Sequence, residues 1–304
     1  MADQSTDAAI DVTMRGRRPG PALIDNNDGE ISVTLPEAHP GYGDQRYIER
    51  REWIAATAIH ARPGDQASHI VYSDDDRRVW RLVTEELHDL HQRHASSVYL
   101  ESLSTLGLPS HRPPQLRDVS DTIEKATGFR MTPVAGSVSA RVFYESLADR
   151  SFRSTQYIRH VSRPGFSPEP DMIHEVVGHG PHLVNERWAQ LYQLAGDAVR
   201  RLQNSEVVEL VSRIFWFGVE CGLVREGGEV KVWGASLLSS VRELRQFQNT
   251  DIRPLDLAAM ANQDYDSHAH QPVLFVAESH ARLEDFLGEF FTTVEDDSTY
   301  AVKF

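Results

Sequence analysis

From Tyr47 to Ile59 apolar residues recur three and four apart, the spacing that gathers them on one face of an α-helix. The pattern returns after Ser73 and runs through VWRLVTEELHDLHQRH. Ser73 can cap that second helix, and the three aspartates that follow suit the positive end of its dipole. RPPQLRDVSDTIEKATGF predicts a loop and a short helix, and MTPVAGSVSARVFYESLADRSF predicts extended segments joined by a loop at Gly136 and Ser137. STQYIRHVSRPGFSPEPD, rich in proline and aromatic residues, predicts irregular or strand-like chain. Helix resumes at Pro170, and two long apolar patterns predict helices over 185–203 and 205–223. VKVWGASLLSS reads as a short strand before Ser239, then helix through Phe247; HQPVLFVAESHARLEDFLGEFF reads as strand, then helix. No internal repeat interrupts this order. The economical architecture is a single domain over 36–304, mainly α with small β pieces. Residues 1–35, rich in Asp, Asn, Gly, Pro and Arg without apolar periodicity, read as a disordered or loosely attached tail.

Composition narrows the function classes. At 40% hydrophobic and 25% charged the 304-residue chain is ordinary for a water-soluble fold. No stretch approaches the roughly 20 apolar residues that cross a bilayer, and the first residues carry no secretory pattern, so the expected location is the cytoplasm. A formal charge of −14 repels phosphate backbones and anionic lipid, which argues against nucleic-acid and membrane partners. Cys221 is the only cysteine, which excludes an internal disulfide and a cysteine-built zinc cluster. His88, His91 and His94 recur every three residues, but no carboxylate–histidine set completes a metal sphere there, so they read as a polar helix face.

The strongest chemical signal is PDMIHEVVGHGPHL. His174 and His179 are five residues apart, whereas zinc peptidases use a pair four apart on one helix face. On a regular α-helix a five-residue step turns the second side chain away by about 140°. Convergence therefore calls for the helix to end between them, and Gly178 with the Gly180-Pro181 pair offers that ending. A third ligand should be a buried carboxylate, and Glu220 lies in VSRIFWFGVECGLV, one of the most apolar windows of the chain. Two histidines and one carboxylate form a set that suits Fe(II) and leaves positions open for O2 and substrate. Read alone, these residues also leave room for a zinc hydrolase with Glu175 as general base, or for a binding protein without activity.

PDMIHEVVGHGPHL, FWFGVECGLV and WGASLLSSVREL, in this order, resemble the catalytic domain of the pterin-dependent aromatic amino acid hydroxylases. The similarity extends through TGFRMTPVAG and STQYIRHVSRPGFSPEPD, back to HPGYGDQRYIERR and forward to HQPVLFVAES, about residues 38 to 285. It implies an enzyme that uses Fe(II), a tetrahydropterin and O2 to hydroxylate the ring of a free aromatic amino acid, phenylalanine first, with tryptophan and tyrosine as alternatives. It implies His174, His179 and Glu220 as iron ligands, and Arg159 as the grip on the substrate carboxylate, with Ser167 and Asp171 lining or supporting that pocket. Glu175 and Phe143, with backbone from Gly136 to Val138, would hold the pterin. Ser239 would orient a ligand histidine, and Pro181 and Trp216 would wall the substrate ring. The match covers the catalytic part alone, without the tetramer-forming helix or regulatory domain of the animal enzymes, which implies a short bacterial form acting as a monomer.

The chain departs from that pattern at four positions. Cys221 stands where phenylalanine hydroxylases carry phenylalanine, and Ser236 where glycine is usual; Phe215 replaces a tyrosine and Arg153 a histidine on the pterin side. The first two reshape the surface that positions the substrate ring, and a shift of about 1 Å is enough to redirect attack. The expectation is hydroxylation of phenylalanine at the meta carbon, giving meta-tyrosine, with para-tyrosine as the alternative.

Overall fold

The computed structural model describes residues 22–298, apart from 28–29, 63–64, 166 and 267–269. The expected helices form. The first spans Gln45–Ala58, capped by the Asp44 carboxylate. The second spans Asp74–His94, closed at its start by a reciprocal pair in which Ser73 Oγ accepts from the Asp76 N–H and Asp76 accepts from the Ser73 N–H. Val79, Trp80, Val83, Leu87 and Leu90 turn its apolar stripe into the core. His88 is exposed as expected of a polar face, but His91 is buried and bonds the Leu238 carbonyl at 2.7 Å. The middle member of that triplet is therefore a core residue.

The helix Glu186–Arg201 is central. Gly196 brings it onto the helix Ala140–Ala148, where a Cβ would lie 2.2 Å from the Ala148 nitrogen and 2.6 Å from the Tyr144 carbonyl oxygen. The helix His280–Thr293 also packs on it. The expected helix over 205–223 divides into three. An α-helix spans Ser205–Phe215, a π-helical turn spans Trp216–Glu220, and Leu223–Glu226 is already a strand. That strand lies between Glu229–Val232, antiparallel to it, and Val273–Ala277, parallel; Asp251–Pro254 completes a four-stranded sheet. A second, two-stranded parallel sheet joins Arg130–Pro133 to Ser151–Ser154.

One expectation is corrected at the N-terminal side. Leu23–Asn27 and Glu30–Thr34 form an antiparallel hairpin inside the stretch read as a loose tail. Its anchors are distant in sequence: Ala22 N–H donates to Glu169 at 3.0 Å and Val33 N–H to Glu52 at 3.1 Å, while Ala22, Val33 and Leu35 bury together beside Tyr47 and Ile48. Residues 1–21 of that tail lie outside the described residues.

Candidate active site

His174 and His179 converge because the helix widens, not because it stops. They begin and end a π-helical turn, His174–His179, in which the Gly180 N–H reaches back five residues to the Glu175 carbonyl. Such a turn takes up roughly one residue more than an α-turn, so side chains five apart come to nearly one face. The chain then runs straight on into an α-turn over Gly180–Leu183. Gly178 permits close approach: a Cβ there would lie 2.7 Å from the Ala235 carbonyl oxygen. Pro181 lacks the N–H that the Val177 carbonyl would receive in a regular helix, and the Tyr99 hydroxyl donates to that carbonyl instead, at 2.9 Å. Glu220 ends the other π-helical turn, closed by Cys221 N–H to the Trp216 carbonyl at 2.9 Å.

The three candidate ligand atoms all lie within 4.8 Å of one another. His174 Nε2 and His179 Nε2 are 2.9 Å apart, with Glu220 Oε1 3.2 Å from His179 Nε2 and Oε2 3.8 Å from His174 Nε2. Each has an outer partner: Ser239 Oγ at 2.9 Å from His174 Nδ1, Tyr192 Oη at 2.7 Å from His179 Nδ1, and Ser236 Oγ donating to Glu220 Oε2 at 2.7 Å. Burial alone would raise the Glu220 carboxyl, but the two imidazoles and the Ser236 hydroxyl hold it down at about 2. Proton placement shows what the site can hold. The Ser239 hydroxyl proton goes to the Ala235 carbonyl at 2.8 Å, so its oxygen accepts from His174 Nδ1–H and leaves Nε2 bare. A bare nitrogen and a buried carboxylate this close suit a cation between them, and the donor set suits ferrous iron.

The three candidates share a cavity wall with Gly136, Val138, Phe143 and Glu175, so the residues assigned to a pterin come together with those assigned to iron. Glu175 accepts from the Thr155 N–H at 3.1 Å and the Thr155 hydroxyl at 3.2 Å; burial pushes its carboxyl up to about 7. Arg153 reaches the same cavity half-buried, and its Nε has no hydrogen-bond partner among the described residues. Arg159 is buried against Asp171 and reaches toward the Ser239 carbonyl at 3.5 Å. Cys221 is buried directly after Glu220, and burial raises its thiol.

Pro181 is buried in the turn after His179 and is not on the wall that carries Glu175 and Phe143; the proline on that wall is Pro170, whose carbonyl accepts the Tyr157 hydroxyl. Trp216 stacks on Tyr265, centroids 4.8 Å apart. The Ser167 hydroxyl donates to the Glu169 carbonyl. Sequence reasoning missed Tyr192, thirteen residues beyond His179 on another helix, where nothing local marks it. It also missed His182, whose only signal was a third histidine in HGPH.

Comparison with known proteins agrees with this geometry. The family model for "Biopterin-dependent aromatic amino acid hydroxylase" matches residues 24–304. The phenylalanine 3-hydroxylase of Streptomyces coeruleorubidus is 40% identical over 264 residues, 87% of this chain and 95% of that protein. The human tyrosine 3-monooxygenase is 40% identical over 272 residues, 88% of this chain; the alignment spans only 51% of that longer protein. Among solved structures, phenylalanine hydroxylase of Legionella pneumophila superposes with a TM-score of 0.68 at 29% identity, covering 77% of this chain and 96% of that one. The Chromobacterium violaceum phenylalanine hydroxylase holding iron(III) and 7,8-dihydrobiopterin gives 0.67 at 25% identity, covering 75% and 88%.

Proposed function

The chain belongs to the biopterin-dependent aromatic amino acid hydroxylases, and from that premise we propose that it hydroxylates free L-phenylalanine at the meta carbon to give meta-tyrosine. The observation that carries the reading is the convergence of His174, His179 and Glu220 on the cavity wall that also presents Glu175, Phe143 and the Gly136 loop.

Iron and the tetrahydropterin, when bound, supply the activation of O2, one atom of which enters the ring. His174, His179 and Glu220 would hold the ion. Ser239 keeps His174 in the tautomer that can bind it. Arg159, steadied by Asp171, takes the carboxylate of the amino acid with its remaining donors. Phe143, the backbone of 136–138 and Glu175, which share the cavity wall, would hold the pterin. The buried walls exclude water from the reacting atoms.

Support for meta attack comes from two changes beside Glu220: Cys221 carries much less bulk than the family's phenylalanine, and Ser236, where glycine is usual, adds a hydroxyl that donates to Glu220. The relative named phenylalanine 3-hydroxylase, alignable over nearly its whole length, supports the same position. Incubation with Fe(II), tetrahydrobiopterin and each aromatic amino acid, followed by separation of the products, tests the proposal. Meta-tyrosine from phenylalanine is the expected product; para-tyrosine alone refutes the ring position, and turnover of tryptophan only refutes the substrate.

We propose further that the enzyme acts in the cytoplasm as a monomer. Among the described residues no helix is long and apolar enough to cross a membrane. Sedimentation that yields a dimer or tetramer at micromolar concentration would count against the monomer.

A further inference from the structure

We propose that Tyr192 and His182 form a proton-ordering relay, anchored on the Trp233 carbonyl, that fixes His179 in its Nδ1–H tautomer and so turns a bare Nε2 toward the metal. The inference rests on the reading of His179 as a metal ligand.

The relay follows from counting protons. The Trp233 carbonyl can only accept, and His182 Nε2 lies 3.0 Å from it, so that nitrogen carries the proton. The His182 ring is fully buried, stacked on Trp233 with centroids 4.1 Å apart and packed beside Trp188 at 5.5 Å. A charged imidazole among these rings, with no carboxylate bonded to it among the described residues, is strongly disfavoured, so the ring is neutral and its Nδ1 can only accept. Tyr192 Oη is 2.8 Å from that nitrogen and donates its one proton there. The tyrosine oxygen then has only lone pairs to offer His179 Nδ1 at 2.7 Å, which must therefore be the donor. In the neutral ring His179 Nε2 is then left without a proton, 3.2 Å from Glu220 and 2.9 Å from His174 Nε2.

Remove the anchor and the order fails. A Tyr192 hydroxyl free to turn could donate to His179 Nδ1, which would move the imidazole proton to Nε2 and close the ligand position. Tyr192 and His182 are thus positioning residues, acting through His179. The arrangement is specific in its chemistry: any replacement of His182 must accept from Tyr192 and donate to Trp233 at once. Glutamine can do both; leucine fills similar space and does neither.

The test uses the metal-free full-length protein. At pH 8, ¹⁵N-edited NMR of the imidazole nitrogens reads the His179 tautomer directly, and cobalt(II) titration reads affinity without turnover. The expected result is Nδ1–H at His179 in the unmutated protein. Tyr192→Phe and His182→Leu should weaken cobalt binding about 10- to 100-fold, the range for losing such an outer partner, while His182→Gln stays close to the parent. An Nε2–H tautomer at His179 in the unmutated protein overturns the relay, and needs no variant to fold. So does a Tyr192→Phe protein that binds cobalt like the parent while His179→Ala does not. Undiminished binding by His179→Ala would sink the ligand reading itself, and the relay with it.

Discussion

Asp171 holds Arg159 with both carboxylate oxygens. Arg159 Nε donates to Oδ2 at 2.9 Å and Nη2 to Oδ1 at 2.6 Å, and the Arg159 backbone N–H adds a third bond at 2.8 Å. Oδ1 also accepts from the His174 backbone N–H at 3.2 Å. One buried carboxylate thus fixes the proposed substrate grip and the start of the metal-binding turn relative to each other.

Arg159→Lys keeps the charge and loses the planar fork. The expected outcome in steady-state kinetics is a rise of about 10- to 100-fold in KM for the amino acid, the scale of one charge-assisted hydrogen bond worth about 1.5–3 kcal/mol. The KM for the pterin should change little, because Arg159 does not line the cavity that holds Glu175 and Phe143. An unchanged amino acid KM would remove Arg159 from substrate binding.

Ser236 and Cys221 separate two effects at Glu220. Ser236→Gly deletes the 2.7 Å hydrogen bond to the ligand carboxylate and should weaken iron binding several-fold. Cys221→Phe with Ser236→Gly restores the family's bulk beside Glu220 and should move the product from meta- toward para-tyrosine. Chromatography of the tyrosine isomers at equal iron loading checks it; an unchanged ratio would show that these positions do not set the ring carbon.

Much of this arrangement was legible in the sequence, and what was hidden has physical causes. The helix Asp74–His94 was readable because its cap, first-turn charge and apolar spacing all act locally. The ligand triad was readable from residue type and motif. How the histidines meet was not, since periodicity arguments assume the α-helical turn and the chain uses two π-turns. Four-residue strands such as Leu223–Glu226 and Asp251–Pro254 are too short to show alternation. The hairpin at 23–34 is held by Glu169 and Glu52, and Tyr192 meets His179 only because their helices pack; neither contact leaves a local trace.

Glu169 makes the N-terminal hairpin a question of pH. Its buried carboxylate pairs with Arg51, faces His39 Nε2 at 3.5 Å and accepts from Ala22 N–H. Burial would raise this group, but Arg51 and His39 outweigh it and hold it at about 2, below its ordinary 4.5. A depressed value means that the folded state favours the charged form. The contribution is therefore complete above the ordinary carboxylate value and is lost as pH falls toward 2. Glu169→Gln should cost about 3–5 kcal/mol near neutrality, because it strands the buried Arg51 charge. Thermal unfolding followed from pH 7 to pH 2.5 should show the two proteins converging with acid; a constant gap would contradict the assignment.

Arg153 should show opposite signs in stability and in cofactor binding. Its guanidinium is half-buried at the cavity that holds Glu175 and Phe143, its Nε lacks a partner among the described residues, and burial pulls its pKa down. A donor left partly desolvated and unpaired costs stability in the free protein and gains a partner when a ligand brings an acceptor. The pterin ring, with its carbonyl and ring nitrogens, is such a ligand. Arg153→Leu should therefore raise the unfolding temperature of the cofactor-free enzyme while raising KM for the pterin about 10-fold, roughly the value of one hydrogen bond of about 1.5 kcal/mol to a charged group. KM for the amino acid should stay where it is. Differential scanning calorimetry and kinetics at varied pterin concentration supply both readouts. If the variant is less stable and binds pterin unchanged, Arg153 is a structural residue and the cofactor lies beyond its reach.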